Sequence, residues 1–151
     1  MKQIISDSKA YLLARGLPIP AQPIQVLDES IHKNIILSLA AQLQRLAAGN
    51  GADVDVDVLS YAYDPDLHNE AQVLEALTRI IHTTIEAAIT YGHHDLLKRA
   101  LQNLTFSNQT YIQNGMVPKD AQGKPMKHSG YLQPDFETLF NDYPGQQVTK
   151  L

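Results

Sequence analysis

"EAQVLEALTRIIHTTIEAAITYGHHDLLKRALQNLTFSNQTYIQNG", residues 70–115, decides the fold. Val73, Leu74, Leu77, Ile80, Ile81, Ile85, Ala88 and Ile89 recur at helical spacing up to Gly92. That spacing predicts a helix near 70–91 with one broad apolar face. Asn69 followed by Gln72 resembles a capping box, which satisfies backbone N–H groups that a helix start leaves without partners. After "GHHD" a further helix, 95–114, carries Leu97, Ala100, Leu101, Leu104, Tyr111 and Ile112 inward, with Gly115 as its stop. So short a connection predicts an antiparallel helical hairpin.

Upstream, Ile31, Ile35, Leu39, Leu43 and Leu46 share one face of a helix near 28–48, with Asp28 or Ser30 as its cap and Gly49 and Gly51 at its end. A shorter helix is expected between Ser6 and Gly16. Between these two, "LPIPAQPIQVL" holds Pro18, Pro20 and Pro23 and reads as an extended strap. Downstream of Gly115 the chain changes character. Residues 116–151 are punctuated by Pro118, Pro125, Pro134 and Pro144, yet Phe136, Leu139, Phe140 and Tyr143 fall on one helical face. The expected architecture is a mainly α helical bundle over 1–115 with a long central hairpin. A mostly irregular C-terminal segment, 116–151, docks its aromatic helix on the same domain or on a partner.

A chain of 151 residues with 44% hydrophobic and 19% charged residues has the balance of one folded domain. It contains no cysteine, which excludes disulfides, thiolate metal sites and thiol nucleophiles. The net charge of −4 gives no long-range attraction to phosphate or anionic lipid. The opening residues have no signal-peptide apolar core and no apolar run is long enough for a membrane span, so a cytoplasmic protein is expected.

The most motif-like stretch is "GADVDVDVLSYAYDPD", 51–66. Asp53, Asp55 and Asp57 alternate as the first ligands of a calcium loop would, and Asp64 stands at the twelfth position. Val58 occupies the sixth, where such a loop needs glycine for its turn. Alternating valines instead suit an extended, half-buried connector, with a short β element near 53–59, and the aspartates then form an exposed acidic strip.

The histidines offer a second metal reading. His82 and Glu86 are one helical turn apart, and His93 and His94 sit at the next turn. About 11 residues of helix, roughly 16 Å, separate the two groups, so one ion cannot bind both. Di-iron bundles repeat Glu-x-x-His, whereas here that spacing occurs only in Glu29–His32. No nucleophile elbow, phosphate loop, dinucleotide loop or H-E-x-x-H motif is present. A third reading is nucleic acid: Lys98, Arg99 and Gln102, with Asn103 and Gln109, lie on the outer face of the 95–114 helix. Two positive charges are few against a negative chain.

The leading expectation is a small, non-enzymatic interaction or regulatory protein of the inhibitor, immunity, adaptor or phage-accessory kind. It self-associates, requires no cofactor, and contacts another protein through Asp53, Asp55, Asp57, Phe136, Leu139, Phe140 and Tyr143. The alternatives are a metal protein or metal-dependent enzyme using Asp53, Asp55, Asp57, Asp64, His82, Glu86, His93 and His94, and a DNA-binding helical protein using Lys98, Arg99 and Gln102.

Overall fold

The computed structural model describes residues 1–17, 19–21, 29–55 and 62–142. Within these the chain is mainly helical: α1 (Lys2–Ala14), α2 (Glu29–Gly49), α3 (Glu70–Thr90), α4 (His94–Gln109) and α5 (Phe136–Asn141), with a single 3-10 turn at Pro65–Leu67 before α3. Among the described residues there is no β-strand, only two isolated bridges. Of the segments singled out in the sequence, Pro18, Pro23, Asp28, Asp57, Val58, Tyr143 and Pro144 lie outside the described residues. Asp53 and Asp55 belong to neither helix nor strand.

The chain forms two compact units, Met1–Ala21 with Leu77–Leu151, and Gln22–Ala76. The second unit holds α2, the 3-10 turn and the first turns of α3. Here Asn69 Oδ1 accepts from Gln72 N at 3.0 Å, the capping bond expected for the start of α3. Asp64 caps the 3-10 turn in the same way, accepting from Asp66 N at 3.0 Å.

The first unit is organised on α4. Helix α1 packs against α4, and α4 packs against α5. Tyr91, Gly92 and His93 connect α3 to α4, as the sequence predicts, but the helix partners of α4 are α1 and α5 rather than α3. The turn is built on Gly92, which sits at φ +73° so that His93 N can donate to Ala88 O at 2.7 Å and Gly92 N to Ile89 O at 3.0 Å. These two bonds take up carbonyls that the end of α3 would otherwise leave unpaired. Helices α1 and α2 end with the same pair of bonds, at Gly16 and Gly51.

Two helix ends differ from the sequence reading. Helix α1 begins at Lys2 rather than Ser6, and no side chain caps its N-terminus. Helix α4 stops at Gln109, short of Gly115. The reason lies in "QNGM". Asn114 (φ +53°) and Gly115 (φ +79°) both take positive φ, and Gln113 and Met116 exchange bonds of 2.7 and 3.1 Å across them. Two consecutive positive-φ residues make the tight hairpin turn for which Asn-Gly is the preferred pair. Tyr111 and Ile112 remain half-buried, but as part of this turn rather than of a helix.

From there the chain returns along α1 and α4. Val117, only 4% exposed, donates its N–H to Ala14 O at 3.0 Å, and Lys119 Nζ donates to Arg15 O at 2.7 Å. A second small loop follows, in which Asp120 Oδ1 accepts from both Gln122 N and Lys124 N at 2.9 Å. Among the described residues no helix is long and apolar enough to cross a membrane.

Candidate interaction surface

The buried side of α4 is polar as well as apolar. Ser107 is 2% exposed, and its hydroxyl donates to Leu132 O at 2.7 Å. Thr110 Oγ1 accepts from Leu132 N at 2.9 Å, and Asn103 Oδ1 accepts from Asp135 N at 3.1 Å. Gln109 Nε2 donates to Asp7 O on α1. Asn103 and Gln109, read from the sequence as outward-facing, are therefore half-buried ties to neighbouring segments. The outer face of α4 is left with Lys98, Arg99 and Gln102, all exposed.

A tyrosine cluster closes this side of the unit. The Tyr111 and Tyr131 rings are 4.3 Å apart and the Tyr11 and Tyr111 rings 6.2 Å. Lys127 Nζ lies 5.1 Å from the centre of the Tyr131 ring, and the Arg15 guanidinium 5.7 Å from that of Tyr11. Burial raises the Tyr11 phenol above its ordinary range against the opposing pull of Arg15. Burial also raises Tyr111, helped by its hydrogen bond with Tyr131. None of these three tyrosines stands out in the sequence as a group, since they are far apart along the chain and meet only through the Asn114–Gly115 turn.

The metal reading finds its residues dispersed. Among the described residues no three His, Asp or Glu side chains group to hold an ion. His82 Nδ1 pairs with Glu86 Oε2 at 3.4 Å on the open surface of α3, and His94 Nε2 with Asp95 Oδ2 at 3.7 Å. The adjacent His93 turns the other way, its ring meeting Phe140 edge-on at 5.6 Å. Asp64 is engaged in its turn, and Asp53 and Asp55 are exposed. In the second unit a shallow depression lined by His32, Tyr63 and His68 looks more like a site, but each ring has another role. His32 stacks on Tyr63 at 5.0 Å, and His68 Nε2 lies 3.0 Å from Glu70 Oε1.

What the structure leaves open is apolar. Along α3 the side chains of Val73, Leu74, Leu77, Ile80, Ile81, Ile85 and Ile89 are all exposed, Leu74 by 67% and Ile81 by 59%. Ala88 is the one buried residue of that helix. On a 100° helical wheel these residues cover close to half the circumference, while Glu75, Arg79, His82 and Glu86 occupy the opposite arc. Helix α2 repeats the pattern, with Ile35, Ile36, Leu43 and Leu46 exposed and only Ala40 buried. Helix α5 presents Phe136 and Phe140 partly to solvent, with Leu139 more covered. Set beside known protein families, curated proteins and solved structures, the chain matches none of them significantly.

Proposed function

We propose that this is a small, non-enzymatic protein–protein interaction protein of regulatory type that acts in the cytoplasm and self-associates through its uncovered helix faces. The observation that carries the reading is the face of α3. Seven large aliphatic side chains at helical spacing stand in solvent, and contiguous apolar patches of that kind mark contact sites in soluble proteins. The arc is wider than the narrow stripe that a single helix–helix seam covers. The exposed Phe136 and Phe140 on α5, and the acidic Asp53 and Asp55, add accessible groups of the kinds that anchor and orient a partner.

Light scattering after size exclusion tests this. The expected result is a dimer or larger species for the wild-type chain and a monomer for Ile81→Glu, whose charge would be desolvated in the contact but is tolerated in water. Circular dichroism of the variant should keep its helical signal. A wild-type chain that stays monomeric at tens of micromolar, about the level at which a biologically useful contact is populated, ends the reading.

A further inference from the structure

A second device sits in the turn that fastens the C-terminal segment to α4. His128 Nδ1 accepts from Gly130 N at 3.1 Å, and Tyr131 N donates to His128 O at 3.0 Å, so ring and backbone together close residues 128–131. The ring lies directly on Gly130: a Cβ at that position would come within 3.1 Å of His128 Cε1. With Nδ1 accepting, the proton of the neutral ring is on Nε2, which is buried and has no protein acceptor. The turn therefore holds the neutral ring only. An imidazolium would carry hydrogens on both nitrogens, and its Nδ1–H would point at the Gly130 N–H.

The surroundings do nothing to accommodate a positive charge. Among the described residues no carboxylate pairs with His128. The charged and titratable groups around the turn are Lys127, over Tyr131; Tyr131 and Tyr111 in the stack; Tyr11 and Arg15 from α1; and Asp135, which caps α5 through Thr138 N. Three neutral phenols and two cations leave Asp135 as the one acid, and it is already engaged.

We infer that the 128–131 turn is an acid-sensitive latch: protonation of His128 opens it and releases residues 127–135 from α4. The anchors at stake are those just downstream, Leu132 on Ser107 and Thr110 and Asp135 on Asn103. Because the open turn accepts a proton and the closed one does not, the closed state is fully favoured above the ordinary histidine range, about pH 6.5, and loses ground as pH falls below it. Release would uncover Ser107 and the side of α4 beneath the segment, a different surface from the face of α3.

Amide hydrogen exchange at pH 7.5 and pH 5, scaled for the intrinsic pH dependence of exchange, reads the latch in the full chain. In the wild type, protection at Leu132 and Asp135 is expected to fall by about tenfold or more at the lower pH, as local opening would produce, while α3 keeps its protection. His128→Asn retains an oxygen that can accept from Gly130 N but cannot be protonated, so it should hold the segment closed at both pH values. Unchanged wild-type protection, a loss that His128→Asn shares, or an equal loss throughout α3 would each overturn the proposal.

Discussion

Helices α3 and α4 follow one another across a three-residue turn and are about equally amphipathic, yet one turns its face into the protein and the other leaves it in solvent. The difference lies in what each face offers. Helix α4 buries Leu96 together with Thr105 and Ser107, and its Asn103, Ser107, Gln109 and Thr110 supply directional hydrogen bonds to α1 and the C-terminal segment. Helix α3 offers branched aliphatic side chains with no polar group among them. A face of the first kind specifies its own cover, because each polar side chain must find its partner as it is buried. A face of the second kind accepts any complementary apolar surface, including another copy of itself. The first is internal architecture and the second is an interface.

The strongest way to break this comparison is to exchange the effects of truncation. Leu96→Ala, at 6% exposure, should cost the isolated chain about 2–4 kcal/mol in chemical denaturation, since a cavity opens where α4 begins. Ile81→Ala removes comparable bulk from a side chain already 59% exposed, and should change monomer stability by less than about 0.5 kcal/mol while weakening association. Equal losses for the two, measured at a concentration where the chain is monomeric, would erase the distinction between the faces.

Ser107→Ala sharpens the comparison on the α4 side. It removes the donor to Leu132 O in a nearly sealed position, and should cost about 1–2 kcal/mol. The loss should appear as faster amide exchange in residues 131–135 before it appears in α1. Asn69→Ala does the same for α3 from its end. Loss of the bond to Gln72 N should cost about 1 kcal/mol of helix stability, seen as fraying of the first turn by amide exchange, and should leave the tyrosine cluster unchanged.

The tyrosines give a pH test specific to the α4 side. The Tyr11 and Tyr111 phenols are raised, so folding favours their neutral forms. Their contribution is fully present below about pH 10, the unfolded value, and is lost as pH rises through the higher folded values. Spectrophotometric titration should find these two phenols ionising later than the remainder, together with loosening of the segment around Tyr131. Titration of all the tyrosines at one ordinary pH would contradict the cluster.

Much of the fold was legible because its signals are local. Gly16, Gly51 and Gly92 mark helix ends, Asn69 marks a start, and the aliphatic period of α2 and α3 is unbroken. The stop of α4 was misread because helical spacing continues through Tyr111 and Ile112, and that period was given precedence over Asn114–Gly115, a turn signal as plain as any in the chain. The anchors were not legible at all. Ser107, Asn103 and Gln109 look like solvated helix residues until the segment that meets them, 22–32 residues later for the first two and on α1 for the third, is in place. The tyrosine cluster depends on the same long-range closure. The apolar face of α3 was legible as a face, but whether the chain itself covers it is decided by tertiary packing.

The smallest effect expected is at α5, the helix that borders both kinds of surface. Asp135 Oδ1 accepts from Thr138 N at 2.9 Å, and that backbone hydrogen bond holds its carboxyl below the ordinary aspartate range. A lowered folded value contributes stability above the unfolded value, about pH 3.9, which is lost as pH falls through the folded one. Asp135 is wholly exposed, so solvent screens the effect and it should be confined to the six-residue helix. Asp135→Asn keeps an acceptor but removes the charge, so the cap should survive while its acid dependence disappears. Asp135→Ala removes both, and should fray α5 at neutral pH. Chemical shifts of Thr138 and Leu139 across an acid titration separate these outcomes. If Asp135→Asn frays α5 as fully as Asp135→Ala, the charge rather than the hydrogen bond fastens the helix, and Phe140 is held against His93 by electrostatics rather than by the geometry of its cap.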